Sequence, residues 1–191
     1  ENDKWPFVVT VDNERKIHAF SIIVATGSSP KLLEIPGESE LWGKGVSTCA
    51  ICDAPLYKNK DVLVVGGGDS ACEEALQLSA HAKNVTIIVR GEKMRASFAM
   101  QEHIKNNPKI KVIYNTKPIK INGTDGVESI LVYNTTDSQE TLINVDGVFI
   151  AIGHTPNSSF LKNTINLDEH GYVICNKAFQ TNVRGIAAAG D

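Results

Sequence analysis

Cysteine is scarce in this 191-residue chain, long apolar runs are missing, and neither sign of charge prevails. Four cysteines are too few for a disulfide-stapled secreted scaffold, and only Cys49 and Cys52 stand close together, so a reducing, cytoplasmic setting is expected. No apolar run nears the roughly 20 residues that span a bilayer, so no membrane-spanning segment is expected. Lys+Arg number 19 and Asp+Glu 22, a net charge of -3, which leaves no broad basic footprint for nucleic acid or an anionic membrane. The start, Glu1-Asn2-Asp3-Lys4-Trp5, has no initiator Met and lacks the basic flank and apolar stretch of a signal peptide. The chain stops at Ala187-Ala188-Ala189-Gly190-Asp191, straight after an apolar run. Both ends read as cuts through a longer polypeptide.

What is present fits a folded α/β protein. Phe7–Val11 and Ile17–Phe20 read as a strand pair around the polar turn Asp12-Asn13-Glu14, and residues 21–27 as a buried strand ending at Gly27. Pro30, Pro36 and Gly37 mark a first boundary. Asp61–Val65 is a short apolar run of the kind buried on both faces of a parallel sheet. A helix follows over about Asp69–His81, with Ala71, Ala75 and Leu78 on one stripe and Glu73, Glu74 and Gln77 on the other side. Val85–Val89 then completes a βαβ unit. A second helix is expected over Ser97–Lys105, stopping before Pro108. Strand-like runs follow at Lys111–Tyr114, Ile119–Ile121, Val127–Asn134, Thr141–Val145 and Val148–Ile152, and residues 153–157 form a second boundary.

Between the strand and the helix of the βαβ unit lies Gly66-Gly67-Gly68-Asp69-Ser70-Ala71, a G-x-G-x-x-A loop in the context that gives it meaning. Gly66 allows the tight turn, Gly68 lets the backbone approach a pyrophosphate, and Ala71 is small enough for helix to pack on strand. The pyrophosphate is expected at the helix N-terminus, where unpaired N–H groups and the helix dipole favour an anion. About twenty residues on, an NAD site carries an acid for the ribose hydroxyls. Here the strand ends at Val89-Arg90-Gly91-Glu92, with Arg95 beyond. Guanidinium pairs with phosphate, so Arg90 and Arg95 point to the 2′-phosphate of NADP, while Glu92 leaves NAD open.

The pair Cys49-Ala50-Ile51-Cys52 can close a small disulfide ring at a helix start, where a thiolate is stabilised, and Asp53 follows to exchange protons. A structural zinc site wants four ligands and there is no second C-x-x-C, so no metal site is expected. An inert buried pair is the other reading. Cys72 and Cys175 are expected to be packing residues.

The order of these motifs is diagnostic. Ala25-Thr26-Gly27 precedes Cys49–Asp53, then come Gly66–Ala71 with Glu73-Glu74-Ala75, Arg95-Ala96-Ser97, residues 151–157 (Ala-Ile-Gly-His-Thr-Pro-Asn) and Ala188-Ala189-Gly190-Asp191. The whole chain resembles the low-molecular-weight thioredoxin reductases. The resemblance implies a redox disulfide between Cys49 and Cys52, with Asp53 as proton donor and acceptor. It implies an NADP site lined by Gly66, Gly67, Gly68, Asp69, Ser70, Ala71, Arg90 and Arg95, with Ile152, Gly153 and His154 nearby. Thr26, Gly27 and Asp191 are then expected to touch FAD. Electrons would pass from NADPH through FAD and the dithiol to thioredoxin or a similar small disulfide protein, and the full-length protein would be a homodimer. The expected architecture is a Rossmann-like three-layer nucleotide-binding domain with a β-meander at 33–152, flanked by partial FAD-binding segments at 1–32 and 153–191.

This sequence departs from the family pattern in four places. The N-terminal FAD glycine fingerprint is missing, so the 191 residues alone are expected to have little reductase activity. The family's His-Arg-Arg reads Val89-Arg90-Gly91, its middle Thr in the cysteine motif is Ile51, and the Gly after the motif is Ala54, followed by Pro55. Gly91 keeps a donor other than NADPH as one alternative, and the missing FAD half keeps a catalytically silent nucleotide-binding module as another.

Overall fold

The computed structural model describes residues 5–191. In chain order its strands are β1 (Phe7–Val11), β2 (Arg15–Ala19), β3 (Ile22–Val24), β4 (Ser28–Pro30) and β5 (Val46–Ser47). Helix α1 (Ala50–Asp53) runs into a 3-10 turn at Ala54–Tyr57, followed by β6 (Asp61–Val65), α2 (Asp69–Ser79), β7 (Asn84–Ile88) and α3 (Phe98–Lys105). The remainder is β8 (Ile110–Ile113), β9 (Thr116–Gly123), β10 (Val127–Asn134), β11 (Gln139–Asn144), β12 (Gly147–Ile150), β13 (His154–Pro156) and β14 (Ile186–Ala188). The chain divides into two compact units, one made of the chain up to Ser29 together with His154–Asp191, the other of Pro30–Gly153.

The continuous unit is a three-layer α/β fold. Its central sheet is parallel throughout, with strand order β5-β12-β6-β7-β8. Alternation along the strands sends side chains to two apolar layers. Val62, Val64, Val85, Ile87 and Phe149 face a helical layer with Ala50, Ala71, Cys72, Ala75, Leu78 and Ile104. Leu63, Val65, Ile88, Val148 and Ile150 face the meander through Ile121, Val127, Ile130 and Val132. This two-sided burial is why Val62–Val65 is apolar without a break, and each such side chain stabilises the fold by roughly 1.5–3 kcal/mol. The meander is antiparallel, in order β11-β10-β9.

Two features correct the sequence expectation, the length of one strand and the exposure of one cysteine, and the strand order goes beyond it. Strand β9 spans Thr116–Gly123, well beyond Ile119–Ile121, and runs through Pro118. It is an edge strand, with a register shift at Leu131/Val132 opposite the proline, so the missing N–H leaves no gap in the ladder. Strand β12, late in the chain, inserts beside β6 and carries β5 on its other side, a pairing that short segments do not announce. Cys175 is exposed rather than packed, whereas Cys72 is fully buried.

In the discontinuous unit β1 and β2 form a hairpin, β3 pairs in parallel with β14, and β4 pairs with β13. A small core of Val24, Leu161, Ile165, Val183 and Ile186 holds it together. Among the described residues no helix is long and apolar enough to cross a membrane.

Candidate functional site

Strand β5 delivers the chain to the cysteine pair. Cys49 caps α1 in an extended conformation, and its backbone N–H donates to Ser47 Oγ at 3.1 Å. Cys49 Sγ accepts from the backbone N–H of Cys52 at 3.2 Å, so the sulfur itself does the work of a capping oxygen. Cys49 and Cys52 are joined as a disulfide, with their Cα atoms 5.3 Å apart. Cys52 is exposed and Cys49 half-buried. Asp53 closes the helix, half-buried, its N–H donating to Cys49 O at 3.2 Å.

Both ends of this short helix are fastened to the unit beneath. At its start the Ala50 N–H donates to Glu74 Oε2 on α2 at 2.8 Å. Burial pushes the Glu74 carboxyl above its ordinary range, helped by the charges of Asp53 and Glu73 and opposed by the Ala50 hydrogen bond. Beyond its end Tyr57 is buried, its ring edge-on to Phe149 at 5.2 Å between centroids. Gly147 makes room for it, since a Cβ there would lie 2.4 Å from Tyr57 Cε1. Burial, and then Asp53 and Asp146, push the Tyr57 hydroxyl up. A neutral phenol wedged against β12 holds the far end of the turn.

The glycine loop follows β6. A Cβ on Gly66 would lie 2.3 Å from Ala151 O and 2.8 Å from Ala71 Cβ, so glycine and a small Ala71 are both required where the loop crosses the chain leaving β12. Gly68 is the N-cap of α2, with no side-chain cap and open space where a Cβ would stand. The first-turn N–H groups there are left for an incoming acceptor. The loop bearing the arginines is strapped to this turn by three hydrogen bonds. The N–H groups of Arg95 and Ala96 donate to Gly67 O at 2.6 and 3.1 Å, and that of Ser97 to Asp69 Oδ1 at 2.7 Å.

Beside the loop lies a cavity of about 720 Å³ whose walls include Gly66, Gly67, Arg90, Arg95 and Ile152. Lys31, Lys93 and Lys117 line it too, and no carboxylate does. Gly68, Asp69, Ser70 and Ala71 continue from the same turn into α2 without lining the cavity. Gly153 closes the unit, its carbonyl accepting from the Lys31 N–H at 2.9 Å, and His154 is exposed in the other unit.

In the discontinuous unit Thr26, Gly27 and Asp191 line one cavity of about 270 Å³ together with Cys175 and Phe179. Ser28 Oγ donates to Asp191 Oδ2 at 2.5 Å, tying residues far apart in sequence. No group of three or more His, Cys, Asp or Glu suited to a metal occurs among the described residues.

Sequence reasoning missed Glu74, Lys31, Lys93 and Lys117. Glu74 sat on the polar side of the predicted helix, and nothing local shows that α1 docks there. The lysines come from separate strands and loops, so only folding brings them together.

A glycine loop opening a helix on a parallel sheet, with a cysteine pair on the adjoining helix, defines a Rossmann-type nucleotide domain that carries a disulfide. The sequence signature of the pyridine nucleotide-disulphide oxidoreductases matches residues 2–191, and the chain belongs to that family. Thioredoxin reductase of Dictyostelium discoideum is 47% identical over 191 residues, covering 97% of this chain and 60% of that protein. The bifunctional thioredoxin reductase/thioredoxin of Mycobacterium leprae is 43% identical over 185 residues, covering 96% of this chain and 40% of that protein. The crystal structure of Lactococcus lactis thioredoxin reductase in its FR conformation superposes with a TM-score of 0.84 at 38% identity, covering 93% of this chain and 59% of that one. The chain thus spans about 60% of the length of three of the thioredoxin reductases it matches.

Proposed function

We propose that the full-length protein is an FAD-dependent thioredoxin-disulfide reductase, with NADPH as electron donor and the Cys49–Cys52 pair as the group that reduces thioredoxin. The observation that carries this is the disulfide on α1, fastened to the helix that opens at the glycine loop. In this reading Pro30–Gly153 is the pyridine-nucleotide domain, and the discontinuous unit is part of a flavin domain through which the protein dimerises.

The residues present suit both cofactors. Open space at Gly68 and the uncapped start of α2 fit a pyrophosphate, and the cavity beside them holds five cations and no acid, which favours a nucleotide with an extra phosphate. Arg90 and Arg95 would hold the 2′-phosphate. Thr26, Gly27 and Asp191 converge on one cavity and would hold part of the flavin. When bound, the nicotinamide and flavin supply a hydride and relay its electron pair.

The chain's own part begins at the sulfurs. Reduction of the pair breaks its S–S bond and leaves a thiol and a thiolate. Asp53, one residue from Cys52, exchanges the proton with them. Cys52, the exposed member, meets a partner's disulfide, and Cys49 closes the ring again as the partner leaves as a dithiol.

The test is anaerobic stopped-flow of the full-length flavoprotein with NADPH and with NADH, followed by turnover with thioredoxin. Fast flavin reduction by NADPH and sustained thioredoxin reduction are expected. Fast reduction by NADH alone, or by neither, replaces NADPH with another donor. Thioredoxin left oxidised by a fully reduced flavin points to a module without turnover.

A further inference from the structure

The hydrogen-bond donors of the cysteine turn are accounted for unevenly. Cys49, Cys52 and Asp53 find acceptors within residues 47–49, namely Ser47 Oγ, Cys49 Sγ and Cys49 O. Ala50 alone is served from a distance, by a carboxylate 24 residues further along the chain. That carboxylate is half-buried and within electrostatic reach of Asp53 on α1 and Glu73 on its own helix. A neutral amide oxygen would accept the same N–H without the cost of desolvating a charge beside two others. The charge therefore has a role that the hydrogen bond alone does not explain.

The bonded N–H belongs to the peptide that joins Cys49 to Ala50, so the charge stands close to the backbone of the half-buried cysteine. A fixed negative charge there opposes a thiolate. A couple whose reduced form is less stabilised is the stronger reductant, the opposite of oxidants whose reduced thiolate is favoured.

We infer that Glu74 is a positioning residue for the cysteine pair: its carboxylate fastens the Cys49–Ala50 peptide to the nucleotide-binding helix and keeps the pair strongly reducing by holding a negative charge against the opened thiolate. The inference rests on the redox reading of Cys49 and Cys52. It gives α2 a second task, since the helix whose start faces the nucleotide also sets the driving force of the dithiol from its second turn.

The experiment equilibrates the full-length protein in graded mixtures of reduced and oxidised dithiothreitol. As the protein's S–S bond breaks it takes up two electrons and two protons, which dithiothreitol gives up on closing its own disulfide. Wild type is compared with Glu74→Gln, which keeps an acceptor and loses the charge, and with Glu74→Ala, which loses both. Glu74→Gln is expected to shift the equilibrium toward the dithiol by about fivefold, equivalent to about 20 mV for this two-electron couple. It should also raise the rate of alkylation of the reduced pair at neutral pH about threefold, while amide-exchange protection of Ala50 is kept. Glu74→Ala should lose that protection. If Glu74→Gln matches wild type in both equilibrium and alkylation, the carboxylate is only a cap and the inference is overturned, whether or not Glu74→Ala folds. If the wild-type pair opens in no mixture and also stays closed when the flavin is fully reduced, the redox reading itself fails, which is a separate result.

Discussion

The backbone N–H of Ser97 donates to the carboxylate of Asp69 at 2.7 Å, joining the cap of α3 to the first residue of α2. An acid at the helix start proposed to hold a pyrophosphate looks out of place, yet it braces the arginine-bearing loop against the glycine loop. Asp69→Ala is therefore expected to loosen residues 95–97 and weaken NADP binding about fivefold, about 1 kcal/mol for a solvent-exposed hydrogen bond. Asp69→Asn keeps an acceptor and should bind close to wild type. Calorimetric titration of both variants with NADP+ checks this.

The five cations in the glycine-loop cavity set up a second expectation. Arg95→Ala and Lys93→Ala should each weaken NADP+ binding about tenfold, about 1.4 kcal/mol, while leaving NAD+ nearly unchanged. The difference should shrink as salt rises, because exposed charges are screened. Equal losses for both nucleotides would place these side chains away from the 2′-phosphate.

Two glycines of one loop should behave in opposite ways. Gly66 has a φ of +155 and its added Cβ would collide with Ala151 O, so Gly66→Ala should destabilise the fold by more than about 2 kcal/mol. Gly68 has open space where a Cβ would stand, so Gly68→Ala should keep its melting temperature and still lose nucleotide affinity, because the methyl would stand in the proposed approach of the pyrophosphate. Thermal unfolding and NADP+ titration of the two variants separate the roles.

Much of this was legible in the sequence because it is local. The unbroken apolar run at Val62–Val65, the loop Gly66–Ala71 and the small Ala71 each have a steric or solvation cause that neighbouring residues reveal. The strand Val127–Asn134 could be read to the residue. Pro118 hid the true length of β9, because edge position and a register shift, both properties of the folded sheet, are what make a proline tolerable there. Glu74 was illegible for a similar reason. A polar helical position reads as solvated until another helix is known to sit on it.

Glu74 also gives a pH signature. Its folded pKa is raised, so its favourable contribution to stability is present below the ordinary carboxylate range and is lost as pH rises through the folded value. At neutral pH the ionised group is a burden. Glu74→Gln should therefore melt higher than wild type at pH 7 to 8, and the gap should narrow as pH falls toward about 4. A constant gap across that range would mean that the charge is not what the fold pays for.

In the proposed cycle Cys49 and Cys52 open and close in response to the nicotinamide donor. Differential alkylation of the full-length flavoprotein under anaerobic conditions, with mass spectrometry of the peptide containing both residues, measures this directly. Both cysteines should resist alkylation before NADPH is added and become labelled after it, while Cys72 stays protected in its buried helix. A pair labelled equally before and after the donor, or unlabelled in both states while the flavin is reduced, would show that these cysteines take no electrons from it.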